Sequence, residues 1–466
     1  MVETPYELSL EQLKHIGKIL RQSRKDQKRI LDELADDDIS TSTISNLERG
    51  ERVSWEKIVI YAQKLGYSTE EIPKLLENER DRNQQLLQQL EDIANRIDLV
   101  GADNALEKLR KLKLSATNPL KANAEYLTGK CYTRKKKWVA ARSHYMKALQ
   151  IIKRYPDFYK TNLKSSCHLH LARTFYSQEN DLVTALKHAD QGLESLVTNT
   201  EEQTKYLLLI GKVVYLQNLN QDTETVKHII DKLWEQKDRI QSIDAVISLH
   251  EAKATLLNKM ELYEEALESV LEGIELAQKN SILDRVLELL TAYGSICISL
   301  GDYAKAENHL ALGLDMKDKI RKKYQKEYLF VTTLVVLGKL LVKQKHIEKA
   351  RNTFMEAVQL GEKTKSKEVL RYHDALVALG DCELMLENFQ EATISYRKAL
   401  EIAQIQSTAQ KNPMLWIEKE HHLWIKLGIC YEKFDNNEYK KCMEKSFEFN
   451  VQYMQKKGVI TWLNNS

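Results

Sequence analysis

Residues 388–400 read Asn-Phe-Gln-Glu-Ala-Thr-Ile-Ser-Tyr-Arg-Lys-Ala-Leu, and a related phrase, Leu-Gly-Asp-Tyr-Ala-Lys-Ala-Glu, occupies residues 300–307. Each belongs to a longer pattern, in which a small residue is followed about twelve positions later by Ala, then by a large apolar residue and a second small residue. The clearest copies are Gly338, Ala350, Phe354, Ala357 and Gly380, Ala392, Tyr396, Ala399. The pattern predicts pairs of antiparallel helices, because small side chains let two helices approach closely while the large one fills the gap to the next pair.

The first small residue of the pattern, called the anchor below, recurs along most of the chain. The anchors are Gly129, Ala172, Gly211, Ala254, Gly294, Gly338, Gly380 and Gly428. Over about residues 118–460 these units resemble the tetratricopeptide repeat. Their spacing is near forty residues, whereas the family repeats about every 34, so each pair is expected to have longer helices or loops. The predicted fold class is all-α, with an N-terminal helix-turn-helix domain and a right-handed α-solenoid of about eight helical hairpins.

Composition agrees with a helical chain and limits its class. With 16 Gly and 5 Pro in 466 residues, turns are too few for an all-β protein. The formal net charge of +3 gives no overall attraction to nucleic acid or to membranes, so any such affinity must be local. Six scattered Cys without a Cys-x-x-Cys pair predict buried thiols in a reducing compartment. No signal peptide and no run of eighteen apolar residues is recognised, so a cytoplasmic location without membrane contact is expected.

The segment before the repeats carries a different motif, Thr43-Ile-Ser-Asn-Leu-Glu-Arg-Gly50. Ser40 is a suitable N-cap and Gly50 a suitable stop for a helix between them, with Ile44 and Leu47 facing inward. A second short helix is expected over residues 30–35. The motif resembles the helix-turn-helix domain of the Xre/Cro repressor family, although Leu31 replaces the family's usual Gln and the turn at residues 36–38 lacks the usual Gly.

This resemblance implies that the helix enters the major groove of an operator in double-stranded DNA. Thr41, Ser42 and Asn46 are then expected to reach base edges, where Asn suits adenine. Ser40, Ser45 and Arg49 are better placed for phosphates. Basic residues between Lys14 and Arg29 either add salt-dependent affinity or form an ordinary solvated face. The predicted DNA-binding residues are Ser40, Thr41, Ser42, Thr43, Ser45, Asn46 and Arg49.

The repeats predict a binding groove. In tetratricopeptide repeats the residue after each anchor faces this groove, and four of the eight such residues are cationic here, which suggests a carboxylate-bearing peptide. The alternative is that these cations are ordinary solvated helix residues. Two asparagines near the ends of groove helices complete the predicted peptide-binding set, which is Lys130, Arg173, Lys212, Asn218, Asn258 and Lys339.

No pattern of catalytic residues is recognised. The twelve His lack a metal-binding frame, and no Gly-rich phosphate loop, nucleophile elbow or kinase signature is found. The chain is therefore not expected to be an enzyme, and neither a metal nor another cofactor is expected.

The order of the segments resembles the RRNPP regulators, particularly the PlcR and NprR type. It predicts a DNA-binding domain over residues 1–70, a helical linker over 71–117 and a peptide-binding repeat domain over 118–466. The resemblance implies a homodimeric transcription regulator of quorum sensing, in which a short signalling peptide changes DNA binding or oligomeric state. The alternative is a Rap-like protein that binds or dephosphorylates a response regulator through its repeats. A phage or plasmid repressor whose repeats serve assembly alone is a third possibility.

Overall fold

The computed structural model describes residues 10–112, 114, 118–156, 161–179, 181–197, 202–219, 222–324, 326–364, 368–408 and 413–456. Over these residues every regular element is a helix. The chain divides into two compact units, residues 1–135 and 136–466. The all-α prediction and the tetratricopeptide-like solenoid are confirmed, while the division into segments 1–70, 71–117 and 118–466 stays a prediction. All six Cys are buried and free of disulfides, as expected.

The first unit contains α1 (Leu10–Asp26), α2 (Thr41–Arg49), α3 (Trp55–Lys64), α4 (Glu71–Leu99), α5 (Ala102–Lys111) and α6 (Lys121–Arg134). The apolar stripes of α1, α2 and α3 share one core, built around Ile16, Leu20, Ile44 and Ile58. A second core joins α4 to α5 and α6 through Leu90, Ile93, Leu106 and Leu127. Part of the apolar face of α4 is therefore used within the unit.

The helix expected over residues 30–35 is a single turn. The Leu34 N–H donates to the Leu31 carbonyl at 3.1 Å, and no further helical turn follows. Six residues are too few to offset the cost of helix nucleation without help from neighbours. In addition, the Asp36 carboxylate accepts the backbone N–H groups of Asp38 and Ile39, which favours a bend. The burial of Leu34 nevertheless holds this turn against the core.

The second unit contains α7 (Trp138–Arg154), α8 (Leu163–Glu179), α9 (Leu182–Glu194), α10 (Gln203–Asn218), α11 (Thr223–Glu235), α12 (Ile243–Lys259), α13 (Tyr263–Lys279), α14 (Leu283–Leu300), α15 (Tyr303–Asp315), α16 (Lys317–Tyr324), α17 (Leu329–Lys343), α18 (Ile347–Thr364), α19 (Val369–Met385), α20 (Phe389–Thr408), α21 (Pro413–Tyr431) and α22 (Asn436–Lys456). Each anchor from Ala172 to Gly428 lies on the first helix of a hairpin. In the described part of this unit the hairpins that carry these anchors are α8/α9, α10/α11, α12/α13, α14/α15, α17/α18, α19/α20 and α21/α22.

The helices and the connections between them together explain why the repeat is longer than usual. Helices α12 and α13 have 17 residues each and alone fill the usual repeat length, so connections must be added to it. The extra helix α16 stands between α15 and α17 and lengthens the anchor spacing from Gly294 to Gly338. The expectation of longer helices or loops is therefore confirmed.

The anchors let the second helix of a hairpin lie directly on the first. A Cβ added at Gly338 would stand 2.3 Å from a ring carbon of Phe354, and one added at Gly380 would stand 2.4 Å from the ring of Tyr396. Both aromatic residues therefore fill space inside their own hairpin. The expected position of these rings was the gap to the next hairpin. They lie against glycine instead, because a surface without a side chain lets a flat ring pack most closely.

The anchors predict a contrast between two Gly-to-Ala substitutions. Gly338→Ala is expected to destabilise the protein by about 2 kcal/mol, because the new methyl group overlaps the buried Phe354 ring. Gly428→Ala is the matched control, since its Cβ would meet its nearest atom, Met443 Sδ, at an ordinary 3.5 Å. It is expected to be neutral or mildly stabilising, because Ala favours helices over Gly. Thermal unfolding followed by circular dichroism measures both, and equal effects would contradict the explanation.

Candidate functional site

Helix α2 is closed at both ends by its own sequence. The Ser40 hydroxyl accepts the Thr43 N–H at 3.2 Å, as expected of an N-cap. At the other end Gly50 has a φ of +76°, and its N–H donates to the Leu47 carbonyl at 2.9 Å. Both predicted ends are confirmed, so the helix has a defined length of nine residues.

The inner face of α2 is fixed by a buried ionic contact. Arg24 donates from Nε and Nη2 to the two carboxylate oxygens of Glu48, at 2.7 and 2.8 Å, and the Tyr61 hydroxyl donates to the same carboxylate at 2.6 Å. Burial alone raises the pKa of Glu48, but these hydrogen bonds outweigh it and leave the pKa below its ordinary value. This contact was not predicted from the sequence. The feature that could have indicated it is Glu48 itself, the Glu of the Glu-Arg-Gly phrase.

The basic residues between Lys14 and Arg29 do not all belong to one solvated face. Arg24 is committed to Glu48, and its side chain is only 13% exposed. Arg29 donates from Nη1 to the Lys64 carbonyl at 2.8 Å. Both cations therefore stabilise the fold, because their donors are used by partners within the unit.

The α2 polar face consists of Thr41, Ser42, Ser45, Asn46 and Arg49. Of these, Ser42 and Arg49 are exposed and the others are half-buried. Arg49 Nη2 donates to Asn46 Oδ1 at 2.7 Å, and Arg49 Nε donates to the Ser45 carbonyl at 3.3 Å. The face is thus polar and partly ordered by its own hydrogen bonds.

The two remaining predicted DNA-binding residues serve the cap. The hydroxyls of Ser40 and Thr43 are 2.8 Å apart, and the Ser40 hydroxyl also lies 2.9 Å from that of Ser42. Their hydroxyls are therefore engaged within the helix start. A DNA-binding role for the seven residues stays a prediction.

The buried carboxylate in the first unit gives a testable pH dependence. Because the folded pKa of Glu48 is lowered, its contribution is present above the unfolded pKa of about 4.3 and is lost as pH falls through the folded pKa. Glu48→Gln is expected to cost about 3 kcal/mol at pH 7, because it removes the charge that pairs with Arg24. The variant should lose this acid dependence.

Native-state hydrogen exchange of amides in residues 41–64, measured at pH 7 and at about pH 3, provides the test, because the lower pH lies well below the unfolded pKa. Tyr61→Phe is the control, since it removes one hydrogen bond and should cost only about 1 kcal/mol. Equal protection in Glu48→Gln and the unmodified protein would contradict the assigned role of the contact.

The second unit contains a cavity of about 560 Å³, called the array cavity below. Helices α8, α10, α12, α14 and α19 supply its lining. One part is aromatic, with the rings of Tyr176 and Tyr215 5.2 Å apart. Another part is charged and holds Arg173, Arg285 and Arg371. A cavity of this size, with both apolar and polar lining, suits a short peptide or another small ligand.

Arg285 is the centre of the charged part. Its Nη2 donates to Glu251 at 2.8 Å, and its Nη1 donates to Glu288 at 2.6 Å. Burial within the cavity raises the pKa of Glu251, and the charge of Glu288 adds to this, although Arg285 opposes both. Burial likewise raises the pKa of Glu368 nearby, against the opposing charge of Arg371. The cavity therefore holds acids and arginines in close to equal number.

The structure places two of the six predicted peptide-binding residues, Arg173 and Asn218, in the lining of the array cavity. Asn218 Nδ2 donates to its own helix at the Val214 carbonyl, 2.7 Å away. Lys212 forms an ion pair with Asp190 at 2.7 Å. Lys130 belongs to the first unit, where it lies 4.0 Å from Asp98.

The last two predicted residues lie outside the lining of the array cavity. Asn258 is on α12, and its buried Oδ1 has no hydrogen-bond partner among the residues that the structure describes. Lys339 is exposed on α17. The lining residues Arg285 and Arg371 were missed, because nothing in the local repeat pattern marks them. Peptide binding by the predicted set stays a prediction.

Within the described ranges no three His, Cys, Asp or Glu side chains come together as metal ligands. None of the helices described is both long and apolar enough to cross a membrane.

The comparisons define the class of fold. Residues 335–406 match the family model of the tetratricopeptide repeat by sequence. No curated protein matches the chain by sequence.

Solved structures extend this likeness over most of the chain. A Rap protein complexed with competence and sporulation factor is 13% identical, with a TM-score of 0.54, over 80% of this chain and 99% of that one. The apo quorum sensor NprR from B. thuringiensis is 15% identical, with a TM-score of 0.52, over 81% of this chain and 99% of that one. At these identities the likeness establishes the fold.

Proposed function

We propose that this protein is a DNA-binding transcription regulator whose repeats bind a short signalling peptide. The peptide changes DNA binding or oligomeric state, and the protein acts as a homodimer on paired half-sites, as in quorum sensing. The observation that carries the proposal is α2, a short, doubly capped helix with a polar outer face.

The packing of α2 supports a recognition role. Gly17 lets α1 touch the α2 backbone, since a Cβ there would stand 2.1 Å from the Leu47 carbonyl oxygen. Glu48 fixes the inner face from the other side through Arg24 and Tyr61. A helix held this firmly presents its outer residues in one orientation, which is what reading base edges in a major groove requires.

The array cavity supports peptide binding. Its volume suits a few residues of an extended peptide, and the rings of Tyr176 and Tyr215 offer apolar contact. Arg173 lines the cavity and is exposed, and over the described residues it has no ion-pair partner. A guanidinium of this kind suits a peptide carboxylate. The NprR structure is described as that of a quorum sensor, which agrees with a peptide ligand.

The DNA-binding role predicts a selective loss in an α2 variant. Purified protein is expected to enrich a paired half-site from genomic fragments at near-physiological salt, because α2 reads base edges. A Thr41→Ala, Asn46→Ala double variant should lose this enrichment while keeping the same circular dichroism. Enrichment by both proteins would reject α2 as the reading helix, and enrichment by neither, with peptide extracts present, would reject the proposed function.

The peptide-binding role predicts a loss of affinity when the cavity cation is removed. A hexapeptide selected on the unmodified protein from a random synthetic library should bind Arg173→Ala about tenfold more weakly, because a charge-assisted hydrogen bond is lost. Lys227→Ala is the control, since it removes an exposed cation on α11 outside the cavity. Isothermal titration measures both affinities. Equal weakening in the two variants would show a general charge effect and contradict a site at Arg173.

One observation favours the Rap-like alternative. Residues 30–35 form a turn instead of the first helix of the expected helix-turn-helix pair. A protein that acts only by binding a response regulator through its repeats should keep that activity after deletion of residues 1–70. Retained partner binding together with an absence of DNA enrichment by the full chain would favour this alternative.

A further inference from the structure

Arg49, one helical turn further along α2, determines the orientation of the Asn46 side-chain amide. Arg49 Nη2 lies 2.7 Å from Asn46 Oδ1, and a guanidinium can only donate hydrogen bonds. The amide oxygen must therefore face Arg49, and the NH₂ group must point away from it. Within the described chain this NH₂ group makes no hydrogen bond.

Arg49 is itself held on the helix. Its Nε donates to the Ser45 carbonyl at 3.3 Å and lies 3.6 Å from the Glu51 carboxylate. These contacts come from residues on either side of Arg49 and place its guanidinium beside Asn46. The pair therefore presents the free N–H groups of both residues on the outer face of α2, while one of the two lone pairs of Asn46 Oδ1 already accepts from Arg49.

Bases differ in what such a donor surface can bind. Adenine presents one acceptor and one donor in the major groove, so an Asn reads it with both NH₂ and Oδ1. Guanine presents two acceptors, N7 and O6, and needs donors only. To read adenine, Asn46 Oδ1 would have to accept the adenine amino group on its second lone pair, where that donor group would crowd the positively charged guanidinium held by the first.

We propose that Asn46 and Arg49 act together as a donor surface that reads guanine in the operator. This inference rests on the proposed DNA-binding function and specifies its chemistry. It replaces the sequence-based expectation that Asn46 reads adenine. Arg49 then has a positioning role in addition to any phosphate contact, because it orients the amide of its neighbour.

The test is a change of base preference. Randomised duplexes are selected on the purified full-length protein, and the base pair read by Asn46 is identified as the one whose preference is relaxed by Asn46→Ala. Guanine is expected there for the unmodified protein. Arg49→Met keeps the aliphatic stem and removes the donors, which frees Oδ1, so the preference should move to adenine by about tenfold relative to guanine.

Arg52→Met is the matched control. Arg52 is an exposed cation three residues beyond Arg49, and its removal lowers the charge equally without affecting the Asn46 amide. It should weaken binding to all sequences alike and leave guanine preferred. Circular dichroism of each variant establishes that the fold is kept.

Three outcomes separate the inference from the proposed function. Adenine preferred by the unmodified protein, or guanine still preferred by Arg49→Met, would overturn the donor-surface assignment while leaving DNA binding in place. A shift to adenine in Arg52→Met as well would assign the effect to charge and also overturn it. If the unmodified protein enriches no sequence, the DNA-binding function itself fails, and the inference fails with it.

Discussion

The structure depends on how closely two helices of a hairpin can approach at a residue without a side chain. At Gly338 and Gly380 the facing aromatic ring occupies the position where a Cβ would be. Dispersion and apolar burial fall steeply with separation, so this contact sets how well each hairpin is packed. Hairpins packed in this way form the array, and the array supplies the cavity.

The same constraint appears in the first unit, where it has a different consequence. Gly17 lets α1 contact the backbone carbonyl of Leu47 on α2. Gly50, at the end of α2, lies against Lys14 of α1. The inner face of α2 is therefore held by backbone contact and by the Glu48 carboxylate. What remains available is the outer face, which carries Ser42, Asn46 and Arg49 in one orientation. The proposed reading of guanine depends on this order.

The two proposed sites use charge differently. On the α2 polar face the N–H groups of Asn46 and Arg49 are available, while Asn46 Oδ1 already accepts a hydrogen bond from Arg49. The face therefore favours a base edge that offers acceptors. In the array cavity Arg285 is surrounded by Glu251 and Glu288, so acids and arginines largely compensate each other. Such compensation lets a buried cavity hold many charges, because each one is paired. Among the described residues Arg173 has no ion-pair partner, and it is therefore the residue from which the peptide-binding proposal starts.

The sequence by itself determined the helices, the anchors and the caps of α2. These features depend on residues a few positions apart in the chain. The apolar periodicity predicts the helices, and Ser40 and Gly50 predict the two ends of α2. The turn at residues 30–35 could not be predicted this way, because local hydrogen bonds to Asp36 compete with helix formation. Only the tertiary structure decided that Glu48 holds Arg24, that Lys212 is taken by Asp190, and that Arg173, Arg285 and Arg371 line one cavity. These contacts join residues far apart in the chain, and their geometry is set by how the helices pack.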